Sequence, residues 1–411
     1  MKKNPKFIST FLLLFFVLCS GKAQTNNKVE IGTIDSIQSK ILGEQRKVWV
    51  FVPDGANQKY PVVYLLDGDA HFYSVVGMIQ QLSSVNGNML CPKMIVVGIP
   101  NTDRTRDLTP THMDIAPMMK DSAFLRTSGG GENFISFIAK ELMPFIESKY
   151  PITPYKMLIG HSFGGLAVMQ TFTHHNSLFN AYISIDPSMW WDKQKLLKET
   201  KTFLKNTKLE GKSLYLGIAN TMEEGMDITK VQKDTTMETE HIRSILELQT
   251  ALESNKQNGL KYRGKYYAED THGSAPLITE YDALRFIFDY YPMKISFKDF
   301  TDSTAAFADK YRNHYPTLSQ KMGYQIKPDE MDINYFGYEA LRSKFYKRAE
   351  SFFKLNMDNY PESYNVYDSY GDYFIAIGDK TNAIIQLKKA LSIKENEESR
   401  KKLNDLEGAK K

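Results

Sequence analysis

The sequence predicts an α/β fold, a mostly parallel sheet with helices on both faces, followed by a smaller all-helical region. Three observations carry this. Solid apolar runs at residues 61–66, 94–99, 181–185 and 214–218 alternate with helix-like segments, which is the pattern of parallel strands buried on both faces. Gly160, Ser162 and Gly164 spell G-x-S-x-G between a further apolar run and an apolar helix. Beyond Pro292 the strand-like runs stop, and similar residues recur at a fixed spacing.

In chain order, Val29, Ile31 and Ile34, then Val48, Val50 and Val52, alternate with polar residues and predict two antiparallel strands within 28–55. The run 61–66 predicts a central strand that stops at Asp67, Gly68 and Asp69, followed by a helix to about Val85 and a buried strand over 94–99. Residues 101–121 mix Pro, Thr, Asp and Arg without a period and read as a long loop. Phe134, Phe137, Ile138, Leu142, Phe145 and Ile146 fall on one face of a helix over 133–149. A short strand at 157–159 leads into the Ser162 turn, and the helix after it spans 166–172. Strands at 181–185 and 214–218 end at Asp186 and Ala219. A helix over 238–254, a last strand over 261–268, a loop holding His272 and a helix over 279–290 close the α/β unit.

The helical remainder has an internal repeat. Gly337 matches Gly371, Leu341 matches Ile375, Ala349 matches Ala383 and Phe353 matches Leu387, each pair 34 apart by subtraction. That period fits a tetratricopeptide-like helix pair, whose small residues let helices approach closely. The expected organisation is a signal peptide at 1–23, an α/β unit at 28–292, a linker helix at 293–325 and helical repeats at 326–408. Two repeats are few for a free-standing solenoid, so the tail is expected to lean on the α/β unit. It serves either to bind a protein partner or as a structural wing.

The N-terminus reads as a targeting segment: Lys2, Lys3 and Lys6, an apolar run over 11–18, then small residues with cleavage after Ala23. The apolar run is too short for a permanent membrane anchor. The expected location is therefore periplasmic or secreted, with lipid attachment at Cys19 as the alternative. Leu18 fits a lipobox poorly. After cleavage Cys91 is alone, so no internal disulfide can form. A net charge of +4 over 411 residues, without a basic aromatic run, does not suggest nucleic acid.

The chemistry centres on Ser162. Strand, tight turn and helix in that order make the context of a nucleophile elbow. A serine hydroxyl needs a base to take its proton. Of the later histidines, His174 and His175 end the elbow's own helix, His241 lies on a predicted helix and His314 lies past the sheet. His272 alone occupies a strand-end loop and is the expected base. The orienting acid should follow a strand between Ser162 and His272. Glu224 is favoured, then Glu223, then Asp186. Oxyanion donors are expected at the backbone N–H of Phe163 and at Gly68 and Asp69. Trp190 and Trp191 could stack on an aromatic acyl group, and Arg104 and Arg106 could hold an anionic oxygen. The alternative is structural, with tryptophans packed in a lid and arginines paired to Asp103 and Asp107.

Leu66 to Gly68, Gly98 to Asn101 with Asp103 to Pro110, Gly160 to Gly165, Asp186 to Trp191 and Thr271 to Ser274 occur together and in order. In this the chain resembles the Putative esterase family of α/β-hydrolases, which includes esterase D, bacterial feruloyl esterases and siderophore (enterochelin) esterases. The resemblance spans roughly residues 28–292 and implies hydrolysis of a small-molecule carboxylic ester by Ser162 and His272, with no metal or cofactor. It also implies that the acid's position varies and that a Ser–His pair can suffice. The competing reading is an interaction protein whose repeats bind a partner and whose hydrolase fold is a scaffold.

Overall fold

One eight-stranded sheet organises the α/β unit, in the order β1-β2-β4-β3-β5-β6-β7-β8. The strands are β1 (Thr33–Gln38), β2 (Gln45–Phe51), β3 (Tyr60–Leu66), β4 (Ile95–Ile99), β5 (Ile152–His161), β6 (Ala181–Ile185), β7 (Ser213–Ala219) and β8 (Lys261–Tyr267). The pairs β1–β2 and β2–β4 are antiparallel, and all others are parallel. The computed structural model describes residues 28–55, 58–115 and 122–408. The expected signal peptide and Cys19 lie outside them. Gly32–Lys411 form one compact unit. Residues 28–31, which belong to a separate unit, have no regular structure.

The parallel strands β3, β4, β6 and β7 are short and buried at every position, and β5 is buried from Met157 to Gly160. Helices cover both sides. On one face α1 (Gly68–Ser83) meets α9 (Ala275–Ile287), which packs on β6, β7 and β8. On the other lie α5 (Phe163–His174), α6 (Trp191–Asn206) and α8 (Glu240–Ser254), each packed on the next. The core on this second face joins Val62, Tyr64, Leu66, Leu158, Phe172 and Tyr182.

Two features depart from the expected elements. The stretch expected to be loop over 101–121 contains a short helix, α2 (Arg104–Leu108), capped by Asp103, whose Oδ1 accepts from Arg106 N at 3.0 Å. Five residues are too few for periodicity to reveal a helix, and the capping aspartate was its only signal. The helix expected over 133–149 is continuous but not uniform. α3 (Gly131–Phe137) runs through a π-turn over Ile138–Leu142 into α4 (Met143–Lys149). Pro144 has no N–H to donate to the turn before it, and a widened turn accommodates that loss.

Between α6 and α8 sits α7 (Ile228–Val231), after the exposed turn that carries Glu223 and Glu224. Past α9 the described chain is helical only: α10 (Phe297–Thr301), α11 (Ala306–Met322), α12 (Glu330–Arg342), α13 (Tyr346–Asn359), α14 (Tyr364–Ala376), α15 (Lys380–Ile393) and α16 (Glu397–Gly408). The hairpin α12–α13 repeats as α14–α15: Glu330 to Tyr364 and Tyr346 to Lys380 are both offsets of 34 by subtraction. Equivalent glycines face equivalent partners, Gly337 against Phe353 and Gly371 against Leu387.

Candidate active site

β3 and β5 are neighbours, yet β4 lies on the far side of β3, so the chain reverses its direction of winding between them. Crevices at such a switch point, beyond the carboxyl ends of the strands, are where open α/β sheets bind ligands. Register brings those ends level. Leu65 pairs with Ile159, His161 with Ile185 and Ile185 with Gly217. Asp67, Ser162 and Asp186, each the first residue past its strand, therefore emerge on one rim.

Ser162 joins β5 to α5 with φ 60° and ψ −114°, a region that non-glycine residues enter only when their surroundings enforce it. The enforcement is visible. Ser162 N donates to Ile185 O at 2.9 Å, and Ser162 O accepts from Leu166 N at 2.9 Å and Ser188 N at 3.2 Å. The turn also needs bare backbone on both sides. A Cβ on Gly160 would lie 2.4 Å from Gly164 O, and one on Gly165 would lie 2.9 Å from Ile185 O.

His272, half exposed in the loop between β8 and α9, has its Nδ1 at 2.6 Å from Asp186 Oδ2. With Nδ1 donating to the carboxylate, Nε2 carries the free lone pair. Asp186 is fully buried with φ 41°. Its Oδ1 accepts from Ala219 N at 2.9 Å, and its Oδ2 also lies 2.9 Å from His241 Nε2. Burial alone would raise its pKa. The bonds from His241, His272 and Ala219 outweigh that and hold the carboxyl below its ordinary range.

The structure therefore brings Asp186 to His272, and not the favoured Glu224 or Glu223. Both glutamates are exposed beyond Ala219. Asn220 donates from its backbone N to Asp270 O at 2.8 Å and from Nδ2 to Ala268 O at 3.0 Å, which ties the start of this turn to the His272 loop. His241 lies on a helix as expected, in the first turn of α8. That end of α8 abuts Asp186, a tertiary contact with no local signal in sequence.

The two expected oxyanion elements are both first turns of helices. Phe163 opens α5, and Gly68 and Asp69 open α1 after Asp67, which has φ 52°. Asp67 O takes the N–H groups of Ala70 and His71, while the N–H groups of a helix's first positions have no intrahelical partner. Gly68 is needed for close approach, since a Cβ there would be 2.5 Å from Ile99 N.

The four residues expected to contact substrate, Arg104, Arg106, Trp190 and Trp191, are engaged within the protein. Arg104 holds Asp67 through two bonds, at 2.6 and 2.9 Å, and its Nη2 also donates to His161 O at 3.2 Å. Asp67 is buried, which would raise its pKa, but Arg104 and Asn101 bring it below the usual value. Arg106 pairs with Glu44 at 2.6 Å and Asp107 at 2.7 Å, and buried Arg46 shares both of those carboxylates. The expected arginine partner Asp107 is therefore found, whereas Asp103 instead caps α2. Trp190 and Trp191 are buried, and Trp191 stands edge-on to Phe163 at 5.1 Å while its Nε1 donates to Thr111 O.

Two further histidines line the rim. The His161 ring lies 4.4 Å from that of His272, with His71 6.0 Å beyond it. Burial drives His161 down to about 4 and lowers His71 as well. Among the described residues, one cluster has a metal-binding composition, Asp186, His241 and His272, with ligand atoms all within 4.8 Å. Its two nitrogen–oxygen distances are those of hydrogen bonds, and the three side chains are bonded as such.

The sheet order, the strained serine between strand and helix, and a histidine on the loop after the last strand are the features of the α/β-hydrolase fold. Within that class the chain belongs to the Putative esterase family, which residues 39–270 match. Over 173 residues it is 31% identical to a siderophore enterobactin esterase of Emericella nidulans, covering 39% of this chain and 57% of the relative. It is 34% identical, also over 173 residues, to the ferri-bacillibactin esterase BesA of Bacillus subtilis, covering 39% and 58%. The chain thus spans little more than half the length of these curated relatives. A solved IroE-like serine hydrolase from Shewanella oneidensis is similar over 80% of this chain and 99% of its own, with TM-score 0.66 and 30% identity.

Proposed function

We propose that this protein hydrolyses a carboxylic ester through an acyl-enzyme, with Ser162 as nucleophile, His272 as general base and Asp186 as the orienting acid. The observation that carries the proposal is the 2.6 Å bond from His272 Nδ1 to fully buried Asp186, on the same rim as the elbow serine. His272 Nε2 takes the Ser162 proton as Oγ attacks the ester carbonyl. The negative charge on the carbonyl oxygen is met by the N–H of Phe163 and of the α1 first turn, Gly68 or Asp69. His272 then returns the proton to the departing alcohol. In the second half it takes a proton from water, which attacks the acyl carbon, and then gives that proton to Ser162 Oγ as the acyl C–Oγ bond breaks and the acid departs. Asp186 keeps its charge throughout and stabilises the imidazolium.

The substrate class proposed is a siderophore ester, an inference from the curated relatives named above. The basic N-terminus and apolar run over 11–18 support export of the chain. A fluorophosphonate probe tests the mechanism: covalent labelling of the wild type and none of Ser162→Ala is the expected outcome. A panel of siderophore, feruloyl, aryl and acetyl esters tests the substrate, with the highest kcat/KM expected for the siderophore ester. Absence of labelling in folded wild-type protein would favour the scaffold reading instead.

A further inference from the structure

Orienting one histidine takes one contact with a carboxylate, yet Asp186 serves two imidazoles. His272 Nδ1 and His241 Nε2 meet the same oxygen, at 2.6 and 2.9 Å. The rings stand edge to face with centroids 5.3 Å apart. Asp186 has no exposed surface, so its charge is met by protein donors alone, these two and Ala219 N. His241 is largely buried, and its turn of α8 is fixed by Ser244 Oγ donating to His241 O at 2.7 Å.

We infer that His241 is a positioning residue that acts through Asp186: as a second imidazole on one carboxylate, it shares that charge and so sets the pH at which His272 becomes able to accept the Ser162 proton. The inference rests on the proposed hydrolase reading. Its physical basis is that a proton on either ring is stabilised by Asp186, while a proton on one ring opposes a proton on the other across a short, dry distance. Without His241, Asp186 would hold an imidazolium at His272 more firmly, and the base would be silenced at a higher pH.

The other charged or titratable groups around the pair do not supply this effect. His161 faces His272 but is held neutral down to about pH 4 by burial, and His71 stands behind it. Asp67 and Arg104 neutralise each other. Asp270 accepts from Ser274 Oγ at 3.0 Å within the His272 loop. Glu240 and Arg243 flank His241 on α8, where Arg243 donates to Thr239 Oγ1 at 2.9 Å.

The test is the pH dependence of kcat/KM on one aryl ester for the wild type, His241→Gln and His241→Phe. Glutamine keeps an N–H donor but cannot take a proton; phenylalanine loses both. The acidic limb is expected to move to higher pH by about one unit in the glutamine variant, the size of a nearby-charge effect, and further in the phenylalanine variant. A limb that stays in place while the plateau falls would make His241 a packing residue and overturn the inference. Imidazole NMR titration of the full chain carrying Ser162→Ala gives a readout without turnover and without a change at His241. Mutually displaced inflections for His241 and His272 are expected, and independent titration of the two rings overturns the proposal. Failure of the proposed function would show separately, as folded wild type that takes up no fluorophosphonate probe, or as hydrolysis that survives Ser162→Ala and so displaces the nucleophile.

Discussion

At the scale of single residues, Asp186 shows how position decides role. A carboxylate with no solvent contact keeps its charge only because three donors surround it. Asp186→Asn is therefore expected to lower turnover at least about a hundredfold, below the roughly ten-thousandfold known for a serine-protease acid. Glu224→Gln and Glu223→Gln, on an exposed turn, should each stay within about tenfold, or ~1.4 kcal/mol of barrier. Parallel assays on one aryl ester decide it, and a large loss at Glu224 would restore that residue as the acid. Nothing in sequence ranks these strand-end acids. The choice is made by the left-handed turn at Asp186 and by the register that delivers Ala219 N, both of them tertiary. Glu280 is the opposite case: fully buried on α9, one oxygen unpartnered, and raised by burial from 4.5 to about 8. Because its folded pKa lies above the unfolded one, its ionisation withdraws stability as pH rises from about 4.5 to about 8, at up to ~1.4 kcal/mol per pH unit. Glu280→Gln should thus raise the melting temperature at pH 8 and change it little at pH 4. Equal shifts at both pH values would mean that the carboxyl is not the cause.

At the scale of elements, glycines report where backbones must touch. The elbow was legible because its three glycines, an apolar strand and an apolar helix are all local. The tail's helix pairs were legible for a similar reason, since a spacing of 34 survives as small residues at matching places. What the spacing does not tell is how tight each contact is. A Cβ on Gly337 would lie 2.7 Å from the Phe353 ring, while one on Gly371 would lie 3.2 Å from Cδ2 and Cγ of Leu387; both side chains are wholly buried, so the distance and the stiffness of the ring make the difference. Overpacking a rigid ring costs roughly 1–3 kcal/mol, whereas alanine in a helix regains about 1 kcal/mol over glycine. Gly337→Ala is therefore expected to destabilise the tail measurably and Gly371→Ala to leave it near neutral. Hydrogen exchange across α12–α15 reads the difference, and equal loss of protection in the two variants would refute it.

At the scale of the whole molecule, the question is what the helical tail does for the chemistry. Its first long helix, α11, docks on the α/β unit. His314 Nε2 meets Tyr291 O at 3.1 Å, Tyr290 OH donates to Met322 Sδ at 3.2 Å, and Lys321 lies over the Tyr290 ring. A cavity of about 370 Å³ beside it is lined by Tyr155, Ser213, Lys261, Tyr290 and Lys321. Tyr155, Ser213 and Lys261 belong to the beginnings of β5, β7 and β8, whereas Ser162 and Asp186 follow strand ends. Ser162 lies seven positions past Tyr155, roughly 23 Å of strand at about 3.3 Å per residue. The tail thus grips the pole of the sheet opposite the site. The other face of α11 packs Phe307 and Tyr311 with Ile333 and Phe352 of the repeats, so removing the tail strips apolar cover without touching the rim. Ending the chain near Met293 should therefore lower the melting temperature, with each large side chain uncovered costing roughly 1.5–3 kcal/mol. It should leave kcat per fluorophosphonate-titrated site within about threefold of wild type, less than ~0.7 kcal/mol of barrier. A truncation that is folded by circular dichroism yet takes up no probe would show that the tail shapes the site after all, by transmitting its grip through β5 to the elbow.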